Sequence, residues 1–331
     1  MNLFLVTSPL QYICALEAKQ YFSTENNILL LVDQTSEHGL EQQRKLINSS
    51  EWDKIITIKR GNRSFSVPSA IKIIKKFLHG QSLQNFFYAE YNSWRTKLLI
   101  RNLPIKREIY FDDGTLTLLE YSKYILPKVE FYRPRLLQDL IIRMNGCFPI
   151  GHLPQSNNME IFTIFNLDAE HITIHTNKLD RLKQLYGNKN LFNPHAPIGF
   201  IGQGAVGDRK RKPISQYLDE LSVLANHAQK KIIYFPHRTE KQEVREALEQ
   251  AEYIIYHRSE FPLEIEMIDK NIQLSTLVGT LSTVMFTSRI LYPDMPIYTL
   301  SDEYPNKLFQ QELRKQMKLI NVKSFEEYSC S

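Results

Sequence analysis

The stretch that decides the fold is Ile232-Ile-Tyr-Phe-Pro-His-Arg-Thr-Glu240. A short apolar run ends abruptly at Pro236, and runs of this length bounded by a breaker are typical of buried parallel strands. Because Pro236 ends ladder pairing, His237 and Arg238 come just beyond the carboxyl end of the strand, where open α/β sheets bind their ligands. Arginine offers a fork of donors to phosphate, and histidine can carry a proton near neutral pH. On this stretch alone, a strand-end histidine beside a solvated arginine is the slightly better interpretation.

Length and composition limit the classes of protein to which the chain can belong. A chain of 331 residues has room for about two domains, and its 43% hydrophobic and 23% charged residues are typical of a globular protein. The net charge of +5 is too weak to indicate nucleic-acid binding but is compatible with an anionic substrate or an anionic membrane surface. Three widely spaced cysteines, Cys14, Cys147 and Cys330, indicate a reducing compartment without disulfides, and they lack metal-ligand spacing.

The sequence also indicates a cellular location. The first residues lack a basic region and a cleavage site, and no apolar stretch reaches the ~20 residues that span a bilayer. We therefore expect a cytoplasmic protein, with peripheral attachment to the inner membrane left open. Residues 121–143 are rich in Tyr, Leu and Arg and fit helices near a cleft or a membrane. A solvated basic face carrying Arg133, Arg135 and Arg143 is the favoured interpretation of that stretch.

The chain alternates predicted strands and helices in two successive runs. Residues 3–6 predict a first buried strand, after which Ser8 can cap a helix that has Pro9 at its first position. Further strands are predicted at residues 28–32, 54–58, 86–89 and 108–111, and the pattern restarts near residue 198. This alternation predicts α/β domains with parallel sheets. Composition shifts place the boundary between about 150 and 195, with a nominal division into 1–160 and 161–331.

Phe111-Asp-Asp-Gly114 follows directly on a predicted strand. Gly114 permits a tight turn, and two adjacent aspartates repel, so that one tends to have a raised pKa that suits a general base. Taken alone, an ordinary surface Asp-Asp-Gly turn is the favoured interpretation.

A glycine-rich loop follows the first strand of the second half. Gly202, Gly204 and Gly207 match G-x-G-x-x-G literally, but the next helix is predicted only near Ile214, which argues against a nicotinamide site. Such a loop still lets backbone N–H groups approach an anion.

Two later helix starts carry candidate ligands of a nucleotide. Pro262 opens a helix in which Glu264 or Glu266 could hold ribose hydroxyls, or could simply place favourable charge at a helix N-terminus. Ser282 and Thr283 begin another helix and could hold a phosphate, whereas ordinary capping is the slightly favoured alternative.

Taken together and in this order, four segments resemble glycosyltransferase family 52, the bacterial lipooligosaccharide α-2,3-sialyltransferases. The segments are Ser8-Pro9-Leu10-Gln11, Phe111-Asp-Asp-Gly114, Phe235-Pro-His237 and Ser282-Thr283. The resemblance implies a GT-B fold of two Rossmann-like domains facing a central cleft. It implies an inverting transfer of sialic acid from CMP-sialic acid to a terminal galactose of a surface glycan such as lipooligosaccharide or capsule, without a metal or other cofactor.

The resemblance also implies roles for individual residues. Asp113 is the implied base, with Asp208 of the glycine loop as the alternative, and His237 assists the departing phosphate. The residues implied at the donor are Gly202, Gln203, Gly204, Pro236, Arg238, Glu266, Ser282 and Thr283. The residues implied on the acceptor side are Ser8, Pro9, Gln11, Asp112 and Gly114.

Two other functions remain open at this point. The chain could transfer a hexose from a UDP-sugar, since the histidine motif has the order Pro-His-Arg, or it could bind a glycan or nucleotide sugar without turnover. A homodimer is also left open.

Overall fold

The computed structural model describes residues 1–35, 37–186, 190–204, 206–207, 212–237, 239–300 and 307–325. The chain divides into two compact units, Met1–Arg181 and Leu182–Ser331. The division falls after Arg181 rather than at the nominal residue 160, because two further strands join the sheet of the first unit.

The first unit contains a seven-stranded parallel sheet with the strand order β3-β2-β1-β4-β5-β6-β7. Its strands are β1 Asn2–Val6, β2 Asn27–Val32, β3 Lys54–Ile58, β4 Leu83–Tyr88, β5 Ile105–Phe111, β6 Met159–Thr163 and β7 Thr173–Thr176. Its helices are α1 Pro9–Tyr21, α2 Glu37–Leu46, α3 Arg63–Leu78, α4 Trp94–Asn102, α5 Leu116–Glu120 and α6 Leu136–Met144, and α7 Asp180–Tyr186 crosses the division.

Local sequence explains why the first turn forms. Ser8 is the N-cap of α1, where its Oγ accepts the backbone N–H of Gln11 at 3.3 Å, and Pro9 takes the first helical position. The central strands β1 and β2 are buried along their whole length, which is why they have no alternation of polar and apolar residues. The predicted opening of the domain is therefore confirmed.

The second unit repeats the arrangement with six parallel strands in the order β10-β9-β8-β11-β12-β13. Its strands are β8 Ile198–Ile201, β9 Ile232–Phe235, β10 Ile254–Tyr256, β11 Thr276–Gly279, β12 Ile297–Thr299 and β13 Lys323–Ser324. Its helices are α8 Ile214–Ala228, α9 Gln242–Glu249, α10 Leu263–Asp269, α11 Thr283–Leu291 and α12 Lys307–Leu319.

The strand order identifies where each unit can bind a ligand. In each sheet the first strands of the chain are added toward one edge, and the later strands are then added toward the other edge. The change of direction lies between β1 and β4 in the first unit and between β8 and β11 in the second. Doubly wound sheets bind ligands beyond the carboxyl ends of the strands at such a reversal. The predicted class, α/β with two Rossmann-like domains, is confirmed.

Candidate functional site

In the first unit, two of the predicted segments meet at the carboxyl edge of the sheet. Gln11, at the start of α1, accepts the backbone N–H of Thr7 with its Oε1 at 2.7 Å. Its Nε2 donates to Oδ1 of Asp113 at 2.7 Å, across 102 residues of sequence. Gln11 is buried, whereas Asp113 is partly exposed. The fold therefore brings the turn after β1 and the turn after β5 together and orients the Asp113 carboxylate.

The two adjacent aspartates have different surroundings. Asp112 is only 1% exposed, and its oxygens accept the Thr163 hydroxyl at 2.6 Å and the backbone N–H of Ile164 at 2.7 Å. Burial raises the pKa of Asp112 to about 7, and the charge of Asp113 contributes least among the causes. The predicted raised pKa therefore belongs to the buried aspartate and arises mainly from desolvation. Asp112 connects β5 to β6, and Asp113 is the carboxylate that a substrate can reach.

Gly114 makes the turn after the aspartates. Its φ is +65°, a conformation that residues with a side chain rarely adopt. The backbone N–H of Asp113 donates to the Thr117 hydroxyl at 2.9 Å, which ties the turn to α5. The glycine and this contact together hold Asp113 in place.

In the second unit, the glycine loop packs against the end of β9. The backbone N–H of Gly202 donates to the Phe235 oxygen at 2.8 Å. A Cβ on Gly202 would press on the Tyr234 side chain, and a Cβ on Gly204 would lie 2.5 Å from Nδ1 of His237. Only glycine permits this close approach. The loop after β8 and the turn after β9 therefore form one surface.

His237 is exposed just beyond β9, immediately after Pro236. Its Nδ1 accepts the backbone N–H of Thr239 at 3.2 Å and lies 2.8 Å from the Thr239 hydroxyl oxygen. A ring nitrogen that accepts an N–H carries no proton, so we assign the proton of the neutral ring to Nε2. Nε2 then carries the N–H of the ring. The predicted residues Arg238 and Asp208 lie outside the described residues.

The loops after β8 and β11 contain two buried polar atoms that lack partners. Nε2 of Gln203 and Oγ of Ser282 are buried and have no hydrogen-bond partner among the described residues. Ser282 occupies the N-cap position of α11 yet makes no side-chain capping bond, so ordinary capping does not explain it. A Cβ on Gly279 would lie 2.9 Å from the Cβ of Ile201, which shows how closely the two strand ends approach. Unsatisfied polar atoms at such a place are expected where a ligand supplies the partner.

Glu266 has internal partners. It is fully buried in α10, and its carboxylate accepts the Phe261 N–H at 2.9 Å and pairs with Lys270 at 2.5 Å and with His257 at 3.1 Å. Burial raises the pKa of Glu266, but these hydrogen bonds outweigh it and hold the pKa below its usual range. The carboxylate fixes the segment that leads into α10. Its assignment to the ribose stays a prediction, because a sugar would have to displace one of these partners.

Sequence reasoning missed a partly buried acid beneath the glycine loop. Glu240 accepts the hydroxyls of Tyr234 at 2.6 Å and Tyr256 at 2.5 Å, and burial raises the pKa of its carboxyl. Tyr234 in turn lies against Gly202. The sequence signal for this network is one tyrosine on each of two successive strands, Tyr234 on β9 and Tyr256 on β10, and the network supports the loop from below.

No protein-family model matches the chain, and no curated protein sequence is significantly similar to it. Solved structures do share its fold. The chain is 13% identical to an α/β-galactoside α-2,3-sialyltransferase from the luminous marine bacterium Photobacterium phosphoreum, with a TM-score of 0.50 over 98% of both chains. It is 15% identical to UDP-GlcNAc 2-epimerase of Methanocaldococcus jannaschii, solved with UDP-GlcNAc and UDP, with a TM-score of 0.54 over 98% of this chain and 88% of that one. These likenesses establish the GT-B type of fold, which hosts more than one reaction.

No group of three or more His, Cys, Asp or Glu side chains in the described ranges could hold a metal ion. No described helix is long and apolar enough to cross a membrane.

Proposed function

We propose that the protein is an inverting, metal-independent sialyltransferase that moves sialic acid from CMP-sialic acid to a terminal galactose of a bacterial surface glycan. The observation that carries the proposal is the grouping of the predicted residues at the carboxyl edges of the two sheets. Gln11 reaches Asp113 in the first unit, and Gly204 packs on His237 in the second. The likeness of the fold to that of a sialyltransferase supports the same class of reaction.

Each residue has a defined part in the proposed transfer. Asp113 accepts the proton of the acceptor hydroxyl, whose oxygen forms a bond to the anomeric carbon of sialic acid. The bond from that carbon to the CMP phosphate oxygen breaks, and configuration inverts. Nε2 of His237 donates a hydrogen bond to the departing phosphate. Asp208 remains the alternative base.

The second unit supplies neutral donors for the phosphate of the nucleotide. Oγ of Ser282 and Nε2 of Gln203 already lack partners among the described residues, so binding would satisfy both without breaking a bond. Thr283 at the first turn of α11 adds a hydroxyl and a helix N-terminus.

The test is transfer in the presence of a chelator. The protein is incubated with CMP-sialic acid and a lactose glycoside, and the product is analysed by mass spectrometry. We expect a sialylated product from wild type and a large loss with Asp113→Asn. Absence of transfer to any β-galactoside, together with stronger thermal stabilisation by UDP than by CMP, would favour transfer from a UDP-hexose. Binding of CMP without turnover would favour a non-catalytic binding protein.

We also propose peripheral attachment to an anionic membrane through α6. Large apolar side chains on this helix are exposed, from 56% at Leu140 to 85% at Leu136, and the 67% exposed Phe148 follows it. The exposed set on the helix comprises Leu136, Leu137, Leu140 and Met144. Their spacing places them on one helix face.

Basic residues frame this apolar face. Arg133 and Arg135 precede the helix, and Arg143 lies in its last turn. Lysines of α3 add to the positive charge, because the Cε of Lys72 lies 3.9 Å from the position of a Cβ on Gly146, just after α6. An apolar face framed by cations complements anionic lipid, where each nearby cation contributes about 1 kcal/mol.

Vesicle sedimentation tests the membrane proposal. We expect binding to vesicles of phosphatidylglycerol and phosphatidylcholine, and weaker binding to phosphatidylcholine alone. The double variant Leu136→Ser, Leu140→Ser should bind at least tenfold more weakly, since each buried leucine contributes about 1 kcal/mol or more. Leu308→Ser is the matched control, because Leu308 is 79% exposed on α12 of the other unit. A concentration-dependent dimer that the double variant abolishes, without vesicle binding, would identify the face as a contact between copies.

A further inference from the structure

A buried arginine, Arg95, pairs with Glu90 in the loop that follows β4 at the carboxyl edge of the first sheet. It lies in the first turn of α4 and is 3% exposed. Its Nη1 is 3.5 Å from Oε2 of Glu90, but its Nε and Nη2 have no hydrogen-bond partner among the described residues. A buried guanidinium with unused donors is costly unless another group satisfies them. Arg95 therefore requires a partner that the rest of this unit does not supply in the described ranges.

Two more arginines add positive charge at this position. Arg60, which follows β3, donates from Nη2 to the backbone oxygen of Thr7 at 2.6 Å and from Nε to that of Asp33 at 3.3 Å. Burial lowers the pKa of Arg95, Glu90 opposes this, and the positive charges of Arg63 and Arg60 lower the pKa further. Both guanidinium groups are thus within electrostatic reach of Arg95.

The charges at this position do not balance. The carboxylate paired with Arg95 is Glu90, and its Oε1 already accepts the Thr7 hydroxyl at 2.7 Å. Among the charged groups that shift the pKa of Arg95, one is a carboxylate, Glu90, and two are arginines, Arg60 and Arg63. Such an arrangement favours a further anion, which the planar guanidinium groups can bind through paired N–H donors.

The arginines share an edge of the sheet with the candidate base. Thr7 follows β1 and Glu90 follows β4, so both lie at the reversal of strand order. The backbone of Thr7 accepts from Arg60 and donates to Gln11, and Gln11 donates to Asp113. A ligand held by the arginines would therefore extend along the edge on which Asp113 lies.

We propose that Arg95, together with Arg60 and Arg63, binds an anionic oxygen group, a phosphate or a carboxylate, that is carried by the acceptor glycan. The assignment of the anion to the acceptor rests on the proposed function. The anion site itself rests only on the contacts and the exposure of these side chains.

The first experiment measures anion binding without turnover. The melting temperature is followed with inorganic phosphate and with chloride at matched ionic strength. We expect phosphate to raise it by about 2 °C or more in wild type and in Arg101→Met, a control at an exposed position of the same helix, but not in Arg95→Met. If Arg95→Met does not fold, the variant Arg63→Gln, at an exposed position, is measured instead. In that variant phosphate should raise the melting temperature by no more than half as much as in wild type. Equal effects of phosphate and chloride on wild type would overturn the anion site, whether or not the protein transfers a sugar.

The second experiment tests the source of the anion. Calorimetry compares galactose 6-phosphate, galactose and inorganic phosphate. We expect galactose 6-phosphate to bind at least tenfold more tightly than either of the others, and to lose that advantage in Arg95→Met. Affinity no greater than that of inorganic phosphate would overturn the assignment to the acceptor. Both experiments measure binding and do not depend on turnover. A failed transfer assay would therefore count against the proposed reaction, whereas the anion site is decided by the two binding experiments.

Discussion

Replacing Gly204 with alanine tests whether the contact between the glycine loop and His237 serves the reaction. The new Cβ would lie 2.5 Å from Nδ1 of His237 and 2.6 Å from Oγ1 of Thr239. Ordinary contact begins at 3.4 Å, so the imidazole must retreat by about 0.9 Å. A displacement of this size at a catalytic group can cost about 100-fold in rate. Because His237 is exposed beyond the strand end, the change should be absorbed locally, and the melting temperature should move by less than about 2 °C.

The assay is steady-state transfer from CMP-sialic acid, with kcat and KM measured separately and the fold checked by circular dichroism. We expect kcat to fall and KM for the donor to change little, since His237 acts on the departing phosphate. Gly61→Ala is the neutral control, because nothing lies within 4 Å of its Cβ position. Gly202→Ala should instead destabilise the protein by about 1–3 kcal/mol, because the Cβ would lie 2.9 Å from the backbone oxygen of Phe235. A folded Gly204→Ala variant with the kcat of wild type would refute the assignment of His237.

Three further predictions concern individual side chains. Asp113→Asn should lower kcat by about 10²–10⁴-fold with unchanged CMP affinity by calorimetry, because an amide cannot accept the proton; a variant that keeps its turnover would shift the role to Asp208. Asp112→Asn should fold and retain turnover, because an amide mimics a neutral carboxyl, and inactivity of a folded variant would contradict this. Between the usual pKa of an aspartate and about 7, the folded state keeps a proton on Asp112 that the unfolded state has lost. The free energy of unfolding of wild type, measured with urea, should therefore fall from pH 4 to 7 relative to that of Asp112→Asn. The fall should be at most about 1.4 kcal/mol per pH unit. A parallel pH profile for the two proteins would refute the raised pKa. Ser282→Ala should weaken CMP binding about tenfold and leave the free energy of unfolding unchanged. The control, Ser93→Ala, removes a side-chain cap from α4 and should lower the free energy of unfolding by about 1 kcal/mol. Equal losses of stability in the two variants would show that Ser282 is structural.

The sequence was informative about the fold because the strands are short buried runs that end at breakers. Pro236 and the Asp-Asp-Gly turn mark the carboxyl ends of β9 and β5, and in a parallel sheet all such ends share one edge. Residue types at strand ends therefore predict which edge a site occupies. The same logic could have identified Glu90, an acid that directly follows the predicted strand at residues 86–89.

Burial of individual polar groups was not predictable in this way. Asp112 and Asp113 are adjacent and identical in type, and what separates them is the pair of donors from Thr163 and Ile164, about 50 residues away in sequence. The sequence likewise gave no sign that Arg95 is buried, since that depends on how α4 packs on the sheet. One partner of Glu266 could be predicted from the sequence, because Lys270 lies four residues further, at the C-cap of α10.

The two units carry different polar groups at their reversals of strand order. This difference bears on whether the proposed donor is CMP-sialic acid or a UDP-sugar. At the reversal between β8 and β11 the two buried donors that have no partner among the described residues are neutral, namely the amide of Gln203 and the hydroxyl of Ser282. Neutral donors suit the single negative charge of the phosphate in CMP-sialic acid, whereas the diphosphate of a UDP-sugar carries two charges and gains more from cations. In the second unit Nζ of Lys241 donates to the backbone oxygen of Gly207 at 3.2 Å, and in the first unit the cationic groups are the arginines around Arg95. A phosphodiester donor in the second unit and an anionic acceptor in the first would each meet the charge that the described residues provide.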